Sequence, residues 1–163
     1  LCTANRCRSQ MAEGWLRHLG GDRLDVVSAG TKPKCVHPLA IEVMAECGVD
    51  ISGHSSDQVR DYEIDPFHLV VTVCDRAKAS CPVFPRAAQM IHRSFEDPDD
   101  PHLSDDQLRP IFRRVRDEIR DWACQFVQSR VTSRLPRSVL GQDHRIDRMK
   151  NPGLSEKGDH DGS

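Results

Sequence analysis

The chain alternates short apolar runs with longer segments in which apolar residues recur at helical spacing. The clearest run, residues 68–73, is almost continuously apolar, as in a strand buried on both faces of a parallel sheet. The clearest helical segment extends from Ser104, a predicted N-cap, to about residue 128, with apolar residues three or four positions apart. This alternation predicts an α/β fold in which helices cover a parallel sheet.

Four further segments complete the pattern. They are a helix over 9–19, a strand over 24–28, a helix over 38–47 and a strand over 89–93. In such a fold ligands bind at the carboxyl ends of the strands. The loops that contain Cys2, Cys74 and Asp97 are expected to share that edge of the sheet.

The length of 163 residues suits one compact domain, which we predict at 1–130. Residues 131–163 carry few large apolar side chains and are predicted to form a mostly disordered tail. The formal net charge of -2 provides no basic field for nucleic acid or an anionic membrane. No apolar run approaches the roughly 20 residues of a membrane span, and no secretory signal is visible. We therefore expect a cytoplasmic monomer without nucleic-acid or membrane partners.

Residues 2–9 form the pattern C-x5-R-S and run directly into the first predicted helix. Such a loop can surround a tetrahedral oxyanion with backbone N–H groups, while the positive end of the helix faces the same point. Arg8 adds a bidentate fork, and the same field favours the nucleophilic thiolate of Cys2. Asn5 can adopt the left-handed turn that the loop needs, and Ser9 can donate its hydroxyl to the sulfur.

The candidate oxyanion-binding residues are those of this loop after the nucleophile. They are Thr3, Ala4, Asn5, Arg6, Cys7, Arg8 and Ser9. A chance spacing of two cysteines and an arginine is the alternative interpretation.

The chain contains 7 cysteines, an odd number that favours thiol chemistry over a disulfide framework. If the stretch between Cys74 and Cys81 is helical, their Cα atoms lie on the order of 10 Å apart. A disulfide requires roughly 4.4 to 6.8 Å, so the helix would have to unwind before the two could join. Judged on these residues alone, two inert buried cysteines are the better interpretation.

Taken in order, the motifs resemble the low-molecular-weight protein tyrosine phosphatase superfamily, and especially its thioredoxin-coupled arsenate reductases. The matching stretches are 2–13, 28–31, 37–41, 48–57, 71–74 with Cys81 and Pro82, and 95–98. The resemblance implies a flavodoxin-like three-layer sandwich with a parallel sheet. Members carry a hydrophobic strand before the loop, and only Leu1 of it is present here. We therefore expect the first, central strand to be truncated at the N-terminus.

The resemblance implies an enzyme that reduces arsenate to arsenite, an activity of arsenical resistance and detoxification. Cys2 would be the nucleophile, Arg8 would bind the anion and Asp97 would act as the acid. Cys2, Cys74 and Cys81 would form a relay that ends in a redox-active disulfide reduced by thioredoxin. No tightly bound cofactor is implied.

Some relatives hold a potassium ion beside the loop. The side chains at the matching positions are Asn5, Glu13, Ser55 and Asp57. All four offer oxygen atoms suited to a hard cation. The alternative, which we weigh equally, is that they are ordinary hydrogen-bonding groups that steady the loop.

Two other functions remain open. A protein tyrosine phosphatase that hydrolyses phosphomonoesters would need Cys2, Arg8 and Asp97 but no further cysteine. Phosphatases of this superfamily tend to place tyrosines after the Asp-Pro, whereas acidic residues follow here and the sole tyrosine is Tyr62. A zinc-binding interaction module would use four of the cysteines, whose spacings suit a tetrahedral structural site poorly.

Overall fold

The computed structural model describes residues 1–80 and 84–132. The helices are α1 (Arg8–Gly20), α2 (Pro38–Ala45), α3 (Asp75–Ser80) and α4 (Asp105–Thr132), with 3-10 turns at Gly21–Arg23 and Val59–Tyr62. The strands are β1 (Ala29–Gly30), β2 (Asp57–Gln58), β3 (Val70–Thr72) and β4 (Met90–His92). In this part of the chain no helix has the length and apolar character needed to cross a bilayer.

All strand pairs are parallel among these residues: β1 pairs with β2, and β3 pairs with β4. The first two residues lie between the two pairs. The amino group of Leu1 donates to the carbonyl of Val71 at 2.6 Å, and the N–H of Val73 donates to the carbonyl of Leu1 at 2.9 Å. On the other side Cys2 forms a parallel bridge with Gly30. Leu1 and Cys2 thus occupy the centre of the sheet, and the predicted α/β fold with parallel strands is confirmed.

The main core lies where α1, α2 and α4 pack together. Its fully buried apolar side chains include Met11, Val43, Met44, Ile51, Phe112, Val115 and Ile119. Removing these side chains from water is the main stabilising contribution to this layer. The packing fixes the start of α1, and with it the loop that precedes α1.

The predicted strand over 24–28 is not formed, and only Ala29–Gly30, immediately after it, is a strand. The reason is visible at Val26, whose carbonyl accepts two hydrogen bonds from the guanidinium of Arg17, at 2.9 and 2.6 Å, instead of a strand partner. Val27 is 42% exposed, whereas Leu24 and Val26 pack against the main core, so the stretch covers the core as an irregular segment.

Helix α4 ends at Thr132, beyond the predicted end near 128. Its first turn has the expected cap position, because the N–H and hydroxyl of Ser104 both donate to Oε1 of Gln107. Residues 133–163, the bulk of the predicted tail, lie outside the described residues. The division into a domain at 1–130 and a disordered tail therefore stays a prediction.

Candidate active site

The loop between Leu1 and α1 turns at Asn5, which has a φ of 45° and is the only non-glycine residue with positive φ in the described part of the chain. Its buried side chain holds this conformation. The amide nitrogen donates to the hydroxyls of Ser9 and Ser28 at 2.9 and 2.7 Å, and Oδ1 accepts the N–H of Asp57 at 2.9 Å. The predicted left-handed turn at Asn5 is confirmed, and three neighbouring segments stabilise it.

Three carbonyl oxygens of the loop accept backbone hydrogen bonds from the segment that follows β1. They are those of Thr3 from Lys32 at 2.8 Å, Ala4 from Lys34 at 2.9 Å, and Arg6 from His37 at 3.0 Å. Close approach of the two segments requires Gly30, where a Cβ would lie 2.7 Å from the Thr3 oxygen. Because these acceptors are satisfied from outside, the loop is free to present N–H groups towards an anion.

The sulfur of Cys2 lies among hydrogen-bond donors. It is 3.1 Å from the N–H of Asn5 and 2.9 Å from the hydroxyl oxygen of Ser9, as the sequence predicted for Ser9. Helix α1 begins at Arg8, so its positive end lies beside the loop. These contacts stabilise negative charge on the sulfur.

A cavity of about 570 Å³ opens above this sulfur. It is lined by Cys2, Thr3, Ala4, Arg6, Cys7, Arg8, Thr31, Lys32, Lys34, Arg76, Asp97 and Asp99. The structure thus brings the predicted nucleophile, anion-binding arginine and acid to one cavity. The basic side chains in this lining, among them Lys32, Lys34 and Arg76, suit an anionic ligand.

Asp97 reaches the cavity through an ion pair. Its Oδ2 accepts from Nη2 of Arg8 at 2.5 Å, while Nη1 of Arg8 donates to the carbonyl of Phe95 at 3.1 Å. The side chain of Asp97 is 56% exposed and that of Arg8 only 12%. Asp97 is therefore the exposed partner of a buried arginine, and an oxyanion that binds both Nη groups of Arg8 would displace it.

Cys74 lies directly behind the loop. Its side chain is buried, with the sulfur 3.6 Å from Oγ1 of Thr3 and accepting the N–H of Ala77 at 3.3 Å. Helix α3 starts at the next residue, which confirms that the stretch after Cys74 is helical. Cys81, the other predicted relay cysteine, lies outside the described residues.

The side chains proposed for a cation make contacts within the protein. Glu13 pairs with Arg17 at 2.8 Å, and Oδ2 of Asp57 accepts from the hydroxyl of Tyr62 at 2.7 Å. The carbonyl of Ser55 accepts from the side chain of Gln10 at 2.8 Å. Among the described residues no group of three or more histidine, cysteine or acidic residues is placed to hold a metal ion.

Sequence reasoning missed several residues of the cavity. Lys32 and Lys34 lie two positions apart in a segment bonded to the loop, so both line the cavity. Asp99 also lines it, although only Asp97 of this acidic loop was predicted to act there. The two-residue spacing of Lys32 and Lys34 after the strand was the one sequence signal that could have identified them as cavity residues.

Cys2 and Cys7 should differ sharply in reactivity. Burial, with smaller contributions from Asp99 and Asp97, raises the pKa of the Cys7 thiol well above its usual value. Donors surround the Cys2 sulfur instead, so we expect iodoacetamide at pH 7 to modify Cys2 about tenfold faster than Cys7. Peptide mapping over time measures both rates, and inorganic phosphate should protect Cys2. Equal rates, or no protection by phosphate, would contradict the anion-loop interpretation.

Comparison with known proteins places this site in a family. The model of the low molecular weight phosphotyrosine protein phosphatase family matches residues 1–136. The chain belongs to this family, as its sequence motifs suggested.

Individual relatives and solved structures are similar to this chain over most of its length. A protein named arsenate reductase from Halalkalibacterium halodurans is 44% identical over 119 residues, covering 73% of this chain and 86% of the relative. A solved arsenate reductase in a phosphate-binding state matches with a TM-score of 0.65 at 33% identity, covering 78% of this chain and 93% of that one. A solved protein tyrosine phosphatase matches with a TM-score of 0.59 at 25% identity, covering 82% and 95% respectively.

Proposed function

We propose that the chain is an arsenate reductase that uses a cysteine relay recycled by thioredoxin. One observation carries the proposal: a second buried cysteine, Cys74, contacts Thr3 of the loop that holds the nucleophilic Cys2. Hydrolysis of a phosphate ester does not require a second thiol, whereas reduction of arsenic needs two electrons from a pair of thiols. The named arsenate reductases among the relatives support the same conclusion.

In the first step the Cys2 thiolate attacks the arsenic atom of arsenate. Arg8 and the loop N–H groups bind the remaining oxygens, and one oxygen leaves as water after protonation by Asp97. Cys74 then loses its proton and attacks the sulfur of Cys2. The electron pair of the broken sulfur–arsenic bond stays on arsenic, which falls from As(V) to As(III) and departs as arsenite. A disulfide between Cys2 and Cys74 remains.

In the second stage the Cys81 thiolate attacks the sulfur of Cys74 and releases Cys2 as a thiolate. This exchange requires part of α3 to unwind, because the seven-residue separation is too long for a disulfide across a helix. A six-residue helix such as Asp75–Ser80 has little stability of its own, so unwinding it costs little free energy. The resulting Cys74–Cys81 disulfide is then reduced by the thioredoxin dithiol.

The same cavity also supports phosphomonoester hydrolysis, because Cys2, Arg8 and Asp97 are the groups that such a reaction needs. We therefore expect weak phosphatase activity beside the reductase activity. The sole tyrosine, Tyr62, donates its hydroxyl to Asp57 and does not line the cavity, so the site lacks that aromatic contact for a phosphotyrosine ring.

We propose no tightly bound cofactor. Asn5, Glu13, Ser55 and Asp57 are linked directly or through Gln10 and His54, and they carry the oxygen donors that suit a potassium ion, which would add positive charge beside the loop. A cytoplasmic, monomeric enzyme with arsenate and thioredoxin as its partners is the arrangement that we propose.

An assay of NADPH oxidation with arsenate, thioredoxin and thioredoxin reductase tests this function. We expect oxidation that depends on arsenate and on both proteins. An enzyme that hydrolyses phosphate esters but oxidises no NADPH with arsenate would instead be a phosphatase.

The rim lysines should speed the capture of arsenate. We expect the Lys32→Glu, Lys34→Glu double variant to lower kcat/KM for arsenate by about tenfold at low ionic strength, because a negative rim repels the anion. The deficit should shrink in high salt, which screens exposed charges. Arg60→Glu, which reverses an exposed charge away from the cavity, is the control. A deficit independent of salt would show that the lysines act in some other way.

A further inference from the structure

A second ion pair crosses the mouth of the cavity beside the pair of Arg8 and Asp97. Nε of Arg6 lies 3.0 Å from Oδ2 of Asp99, and the two side chains are 23% and 32% exposed. Arg6 belongs to the anion loop, and Asp99 belongs to the acidic loop that carries the proposed acid. The two loops are therefore joined by two ion pairs.

Further contacts hold both partners of this second pair. Nη1 of Arg6 donates to the carbonyl of Cys35 at 3.2 Å. Nδ1 of His37 accepts the N–H of Leu39 at 3.1 Å, which leaves the proton on Nε2, 3.5 Å from Oδ1 of Asp99. Burial lowers the pKa of His37, so the imidazole is neutral at pH 7 and Arg6 supplies the positive charge.

The two ion pairs differ in what happens when an oxyanion binds. An anion bound through both Nη groups of Arg8 takes the donor of Asp97, which then loses its ion-pair partner at the moment when it must act as an acid. Arg6 remains held by Cys35 and Asp99 on the rim, so its pair need not break. The N–H of Asp99 also lies 3.4 Å from Oδ1 of Asp97, a short connection between the two acidic residues.

We propose that the Arg6–Asp99 pair is a tether that keeps Asp97 over the cavity after the anion has displaced it from Arg8. Asp99 is thus a positioning residue, which acts through Asp97 and does not touch the anion. The inference rests on the proposed roles of Cys2 and Asp97 but not on the later cysteine relay. It can therefore be tested separately from arsenate reduction.

The test compares two phosphate esters whose leaving groups need the acid to different degrees. Phenyl phosphate requires protonation of its leaving oxygen, whereas 4-nitrophenyl phosphate releases a stabilised anion. We expect Asp99→Ala to lower kcat about tenfold on phenyl phosphate and about twofold on 4-nitrophenyl phosphate. Asp100→Ala is the matched control, because Asp100 lies in the same loop and its side chain accepts a local N–H from His102 instead of lining the cavity. Its rates should match the parent on both esters.

A double-variant cycle checks that the tether acts as a pair. Arg6→Ala should reproduce the loss on phenyl phosphate, and the double variant should be no slower than the slower single variant. The tether would be overturned if Asp99→Ala lost the same factor on both esters. It would also be overturned if the losses of the single variants multiplied in the double variant, or if the parent were inactive on both esters. A parent that shows the ester pattern but does not reduce arsenate would refute the reductase and leave the tether standing.

Discussion

The Cys81→Ser variant is expected to convert about one equivalent of arsenate per chain and then stop. Its Cys2 and Cys74 thiols can still supply two electrons, so arsenite is released once. Without the third thiol, the Cys2–Cys74 disulfide has no internal partner and Cys2 stays oxidised. Rapid-quench measurement of arsenite against chain concentration gives this stoichiometry.

Cys74→Ser should fail one step earlier, because Cys74 is the thiol that attacks the sulfur of Cys2 in the proposed mechanism. No arsenite should form, while both variants should keep any phosphatase activity, which needs only the loop and the acid. Cys124→Ser, on α4, is the matched control and should turn over as the parent does. If Cys81→Ser turns over arsenate with thioredoxin at the parent rate, the three-cysteine relay is wrong.

Arg8→Lys is expected to lower activity on the order of tenfold or more, a loss above about 1.4 kcal/mol of transition-state binding. The ammonium group keeps the charge but not the two parallel N–H donors. It also cannot hold the carbonyl of Phe95 and an anion in the same planar geometry. The effect should appear in kcat/KM for arsenate and for a phosphate ester alike.

Arg120→Lys provides the control, because Arg120 lies on α4, pairs with Asp117 and Asp121 and does not line the cavity. Its activity should be close to that of the parent. An Arg8→Lys enzyme with parental activity would show that Arg8 only balances charge, and that the bidentate interpretation is wrong.

The anion loop could be predicted because its geometry is local. The turn at Asn5, the start of α1 at Arg8 and the contact of Ser9 with Cys2 all arise within eight consecutive residues. The buried strand β3 was equally clear, since an almost continuous apolar run has few other stable arrangements.

Contacts between distant segments could not be predicted in the same way. Arg6 and Asp99 are 93 positions apart, and although both loops were expected at the same edge of the sheet, nothing in either local sequence indicates that these two side chains pair. The error at 24–28 has a similar cause, because Arg17, on a neighbouring helix, takes the carbonyl that a strand partner would use. Hydrogen bonds between segments distant in sequence thus determine these two features of the structure, which the local sequence pattern does not predict.

Peptide mapping by mass spectrometry of Cys81→Ser chains, after a single addition of arsenate, tests most directly whether Cys2 and Cys74 reduce arsenic together. The proposed mechanism predicts one linked pair of peptides, containing Cys2 and Cys74, in an amount close to that of the arsenite released. Arsenite release without this linkage, or a linkage that joins Cys2 to another cysteine such as Cys35, would contradict it.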